Sequence, residues 1–252
     1  MSAPAMSGRA ERERLDEVVA SYGEAYAPFD AAMREYMMRA LAPHFRDGAC
    51  LQVGCAHGDQ TTLLAARFPD LTVVEPARAF LDLARAKAPP GVRFIESLVE
   101  DYVTADRYAT IVFSHVLEHV EDPVDCLRRL GDLLAPVGRL FVVVPNAEAA
   151  SRRIAVKMGV LDHLEALSQA DIAAGHRRVY RLDTLVAEAR RAGLAVVETG
   201  GILFKPLANF QFDALIGGPL IGEAFLDGCY ELGKEHPTFC ASIYLVAERR
   251  GA

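Results

Sequence analysis

Tryptophan is absent from the chain, lysine occurs only four times beside twenty-three arginines, and charge of one sign never accumulates in a run. With a net charge of −7 over 252 residues, a phosphate-backbone surface is disfavoured, because such surfaces need clustered Lys and Arg. The arginine excess fits GC-rich coding better than a binding role. No apolar stretch approaches the roughly 20 residues of a membrane span. The first ten residues lack the apolar core of a secretory leader and read as a loose tail. The five cysteines (50, 55, 126, 229 and 240) are odd in number and never in metal-ligand spacing, a pattern expected of reduced thiols in a cytoplasm. Internal repeats and low-complexity segments are missing too, which excludes solenoids and disordered arrays.

What is present is 52% hydrophobic and 24% charged, the mixture of one globular domain with a sizeable core. Residues 11–45 show a helical period (Leu15, Val18, Val19, Tyr22; then Met33, Tyr36, Met37, Leu41) broken near Pro28, which predicts an N-terminal helical cover over 1–46. Strands are then predicted at 49–53, 71–74, 92–95, 109–113 and 139–144, with helices at 60–68, 77–87 and 122–134 between them. Such alternation predicts an α/β fold with a parallel sheet and helices on both faces. Its ligand would sit beyond the carboxyl ends of the strands. A helical insertion is expected over 147–175, a helix over 181–192 and a strand over 195–199. A long Gly/Pro-punctuated connection over 200–240 then leads to a last strand at 241–247.

The strand ends carry the chemistry. "LQVGCAHGDQT" closes the first strand with Gly54, Cys55, Ala56, His57 and Gly58 and opens a helix. A strand–glycine loop–helix unit presents free backbone amides to a nucleotide-like ligand. Glu75 ends the second strand, about twenty residues on, where a carboxylate can accept both hydroxyls of a ribose. A tight turn alone would also use the glycines, and a solvated strand end would also suit Glu75. The loop is not G-x-G-x-x-G, which weakens a dinucleotide reading.

Residues 108–146, "YATIVFSHVLEHVEDPVDCLRRLGDLLAPVGRLFVVVPN", resemble class I S-adenosylmethionine-dependent methyltransferases of the ubiquinone-type small-molecule branch. The likeness covers roughly 48–200, with 113–123 its most specific part. It implies a doubly wound, mostly parallel, seven-stranded Rossmann-like sheet with an antiparallel last strand. It also implies S-adenosylmethionine as cofactor, with 47–146 as its binding core, and cofactor contacts from Gly54, Cys55, Ala56, His57, Gly58, Glu75, Pro76, Leu98, Val99, Ser114 and His115. Three positions depart from the pattern: Gln52 replaces a frequent Asp, Ala56 the middle glycine, and Leu98 a common adenine-binding Asp.

Methyl transfer to a hydroxyl or ammonium group needs a base. "AGHRRVYRL", 174–182, resembles the family's "gHrr.y" segment, and His176 is the expected base, with capping of the next helix as its bland alternative. His115 and His119 stand at the mouth of the site as further catalytic candidates. Glu118, His119 and His115 occupy positions at which some quinone-precursor methyltransferases hold a divalent ion. Here His115 replaces a carboxylate, and no metal is expected. Substrate contacts are expected from Tyr22 and Tyr26 of the cover, from Arg177 and Tyr180, and from Lys205, Asn209 and Gln211 in "GGILFKPLANFQFD", where Lys205 suits an anionic group. The partner implied is a small methyl acceptor, a sugar or secondary metabolite, with neither nucleic acid nor membrane and with a homodimer in view. Two rivals remain at this level: an NAD-dependent oxidoreductase, which leaves 113–123 unexplained, and a non-catalytic subunit of the same fold that binds a partner protein. Nucleic-acid methylation lacks its motif, since "VPNA", 144–147, is not N/D-P-P-Y.

Overall fold

The computed structural model describes residues 27–250; the tyrosines at 22 and 26 lie outside them. Helix α1 (Pro28–Leu41) precedes β1 (Cys50–Val53), α2 (Asp59–Arg67), β2 (Leu71–Glu75), α3 (Arg78–Lys87) and β3 (Arg93–Glu96). Then follow β4 (Tyr108–Ser114), α4 (Pro123–Asp132), β5 (Leu134–Pro145), α5 (Ala150–Lys157) and α6 (Gln169–Ala173). The chain closes with α7 (Leu182–Arg191), β6 (Leu194–Phe204), α8 (Asn209–Leu215), α9 (Glu223–Glu235) and β7 (Cys240–Arg249).

The seven strands form one sheet in the order β3-β2-β1-β4-β5-β7-β6. β7 runs antiparallel to both β5 and β6, while the first five strands pair in parallel. Strand side chains alternate between faces, and the core follows that period. Leu51, Val53, Ile111, Phe113, Leu140 and Val142 pack under α4 and α7. Cys50, Val112, Phe141 and Val143 face the other way, toward α1, α2, α3, α8 and α9. Both faces are covered, so the central strands are apolar throughout, as buried parallel sheets require.

The chain leaves β1 toward β2 and β3, then returns to the far side of β1 as β4. This is the reversal at which open α/β sheets form a crevice. Register brings the strand ends abreast there: Val53 pairs with Val74 on one side and with Phe113 on the other.

One expectation changes. Residues 200–204 are not a connection but the end of β6, paired with β7 from Gly200 opposite Tyr244 to Phe204 opposite Cys240. Added methyl groups at Gly200 and Gly201 would lie 2.5 Å from the Tyr244 ring and 2.6 Å from Cys240 Sγ. These glycines permit close packing rather than a turn. The N-terminal cover, where described, buries Phe29, Met33, Met37 and Leu41 on the sheet.

Candidate active site

The 54–58 turn is built by two left-handed glycines. Gly54 has φ +79°, and a Cβ there would stand 2.4 Å from Val116 Cγ2. At Gly58, φ is +84° and a Cβ would meet the Ala84 backbone at 2.5 Å. Ala56 also adopts positive φ, 42°, so the substitution for the middle glycine keeps the loop shape at a cost of about 1–2 kcal/mol. Glu75 holds this loop. Its Oε2 accepts from the Cys55 N–H at 3.0 Å and its Oε1 from the Ala77 N–H at 2.9 Å. Burial raises the Glu75 carboxyl above its usual range, against these backbone donors. Each oxygen keeps a second lone pair for a ligand hydroxyl.

Around them opens a hollow of about 1010 Å³, its open mouth included. Gly54, Cys55, Ala56, Glu75, Pro76, Leu98, Val99, Ser114, His115 and His119 all line it, so most of the expected cofactor residues converge. His57 does not line it; the ring is 1% exposed and packs edge-on to Phe80 with centroids 5.7 Å apart. Sequence reasoning missed Arg34, Gln60, Phe80 and Glu100, which line the hollow too. Arg34 sits on a helix twenty residues ahead of the glycine loop and carries no local signal. Gln60 accepts from the Ser114 hydroxyl at 2.7 Å, tying α2 to the end of β4.

Beyond the hollow lies a cluster of imidazoles around one acid. Glu118 is fully buried, and neither of its oxygens has a hydrogen-bond partner. His115 Nδ1 stands 3.5 Å from Oε1 and His176 Nε2 4.0 Å. Burial pushes the Glu118 carboxyl up, but the imidazoles of His115, His119 and His176 outweigh it and hold it down to about 2. Burial lowers His115, whose Nε2 lies 3.3 Å from Ser242 Oγ.

Hydrogen bonds fix the tautomers of the other two rings. His176 Nδ1 lies 3.2 Å from Asp171 Oδ1 and His119 Nδ1 3.2 Å from the Gly175 carbonyl. Both oxygens can only accept at this pairing, so each Nδ1 carries a proton. Asp171 in turn accepts from the Ser168 N–H and hydroxyl and from Arg152 Nη1 at 2.9 Å. Ser168 and Asp171 form a capping box on α6, a spacing visible in "SQAD" five residues before His176. Ligand atoms of Glu118, His119 and His176 all lie within 4.8 Å of one another, a donor set that suits a divalent cation.

The "LEH" and "GHRR" segments are bonded to each other. The Arg177 N–H donates to the Glu118 carbonyl at 2.9 Å and its Nε to the His119 carbonyl at 2.8 Å. Arg178 reaches the Leu117, Val120 and Glu121 carbonyls. Arg177 thus braces the loop. Tyr180 is corrected: its ring is 2% exposed in the core, where a bridge to Asn146 pulls it under the sheet. Asn209 and Gln211 are exposed on α8, and the Gln211 side chain accepts from the Ala208 N–H at 2.9 Å. Lys205 is half-buried, 5.3 Å from the Phe29 ring centroid.

Residues 25–199 match the family model described as a methyltransferase domain, more than half of the chain. The chain belongs to the methyltransferase domain family. Ubiquinone biosynthesis O-methyltransferase of Aeromonas salmonicida is 27% identical over 174 residues, 63% of this chain and 68% of that protein. Trans-aconitate 2-methyltransferase of Deinococcus radiodurans is 32% identical over 120 residues, 46% of each. Among solved structures, N-methyltransferase NodS of Bradyrhizobium japonicum with S-adenosyl-L-homocysteine has a TM-score of 0.60 at 15% identity, covering 95% of this chain and 98% of that one. The chain is a methyltransferase. Membership removes the oxidoreductase reading. Among the described residues, no helix of this methyltransferase is long and apolar enough to cross a membrane.

Proposed function

We propose that the chain is a single-domain cytoplasmic enzyme that methylates a hydroxyl or amine of a small molecule, with His176 as the base and with neither nucleic acid nor a membrane as partner. A sugar or secondary metabolite is the acceptor class. The observation that carries the base assignment is the Asp171–His176 bond, which orients the ring with Nε2 toward Glu118. When bound, S-adenosylmethionine supplies an electrophilic methyl group on a sulfonium that is its own leaving group. The residues present fit it. Glu75 would accept the ribose hydroxyls, and Pro76, Phe80, Leu98 and Val99 would flank the adenine. The loop amides and Arg34, the lone fixed cation among the lining residues, would take the carboxylate of the amino-acid tail. His115 and His119 then flank the reacting atoms, and alignment supplies much of the rate. Transfer of a labelled methyl group to a panel of hydroxylated and aminated small molecules tests the proposal; label found only in protein or nucleic acid overturns it.

Glu75→Gln keeps the size but replaces an acceptor by a donor. It should weaken S-adenosylhomocysteine binding by about 1–3 kcal/mol in calorimetry, the cost of a lost charged hydrogen-bond partner. Unchanged affinity would remove Glu75 from the ribose.

One observation favours a second reading: the two unpartnered oxygens of buried Glu118 beside the rings of His119 and His176. On it, Glu118, His119 and His176 hold a divalent cation, which would lower the pKa of an acceptor hydroxyl, and Asp171 orients a ligand. Dialysis against EDTA, followed by turnover and Zn²⁺ or Mn²⁺ calorimetry, separates the two. Full activity after chelation, with no metal heat, leaves His176 as the base.

A further inference from the structure

Building on the methyl-transfer reading, we infer that Lys205 and Phe29 form an anion subsite at the far end of the acceptor pocket, so that the acceptor carries a carboxylate or phosphate away from the methylated atom. Lys205 is held by its main chain on both sides. Its N–H donates to the Phe239 carbonyl at 3.1 Å, and its own carbonyl accepts from the Ser151 N–H at 2.8 Å. The ammonium group lies 5.3 Å from the Phe29 ring centroid, and among the described residues no carboxylate comes within ion-pair distance of it. Burial lowers the Lys205 amine to about 8, against the pull of Asp30.

The surroundings connect this cation with the base. Asp30, on the first turn of α1, acts on both Lys205 and His115, and Arg34 one turn later lines the cofactor hollow. Asp171 acts on Lys205 and bonds His176. Lys205 is thus linked to the base through Ser151, Arg152 and Asp171. The other charges there are Asp30, Asp213, Asp171 and Arg152. Asp213 accepts the Phe29 N–H at 2.9 Å, and Asp171 is filled by His176, Ser168 and Arg152. Neither is free to neutralise the ammonium. A desolvated cation against an aromatic face is costly unless a counter-ion joins it, and an anion would supply that counter-ion at the ammonium.

Calorimetry on the full chain saturated with S-adenosylhomocysteine tests this, with benzoate, inorganic phosphate and neutral benzamide as probes. Benzoate or phosphate should bind at least about tenfold more tightly than benzamide, and the tighter of the two anions identifies the group recognised. Lys205→Met should remove that preference and leave S-adenosylhomocysteine affinity within about twofold, whereas Lys205→Arg should retain the preference. Absence of anion binding, benzamide binding as well as benzoate, or anion binding unchanged in Lys205→Met would each overturn the subsite. The contrast between benzoate and benzamide needs no variant, so it decides even if Lys205→Met does not fold. Failure of S-adenosylhomocysteine itself to bind would instead sink the methyl-transfer reading.

Discussion

His176→Ala is expected to lower turnover by about 10²–10⁴ while S-adenosylhomocysteine affinity stays within about twofold. The separation follows from geometry. His176 is absent from the residues lining the cofactor hollow, yet its Nε2 faces Glu118 from the neighbouring wall. Alanine removes the proton acceptor and leaves the 54–58 loop and Glu75 untouched. Asp171→Asn is the companion variant, because Asp171 bonds His176 Nδ1 as well as Ser168 and Arg152. An amide still fills the space but pairs the ring more weakly, so kcat should fall while S-adenosylhomocysteine affinity holds. A merely structural Asp171 would change stability and leave kcat in place. Near-normal turnover in His176→Ala would leave alignment alone as the source of rate.

Gly58→Ala has the second large effect, on folding and cofactor binding together. The new methyl group would meet the Ala84 backbone at 2.5 Å, and φ of +84° is unfavourable for any side chain. Clash and strain together should cost about 2–5 kcal/mol in denaturant unfolding, with loss of S-adenosylhomocysteine binding. Gly159→Ala is the matched control: φ is +72°, and nothing lies within 4 Å of the added atom. Strain alone should cost it about 1–2 kcal/mol with binding intact. Equal effects at the two positions would show that backbone conformation, not the approach of α3 to the loop, decides the cost.

The first strand, its glycine loop and the acid at the end of β2 were legible because each rests on local chemistry: an apolar run, left-handed turns and a carboxylate at fixed spacing. Residues 115–119 were legible through their likeness to a family segment. Tyr180 was misread because its motif resembles a pocket rim, whereas its burial depends on a pairing with Asn146, thirty-four positions away. Gly200 and Gly201 read as a loop because a sequence does not reveal that Tyr244 and Cys240 pack against their bare Cα atoms. Arg34 could not be found at all, since only the fold brings α1 over the strand ends. Asp171 had a signal, its Ser168 capping box, but nothing in that signal points to the imidazole five residues on.

A crystal structure of the full chain with S-adenosylhomocysteine tests the central claim most directly. The expected complex has both ribose hydroxyls on Glu75, the adenine beside Leu98 and Val99, and the thioether sulfur turned toward His115, His119 and His176. A nucleoside bound away from Glu75, or a sulfur turned from the histidine cluster, would contradict it.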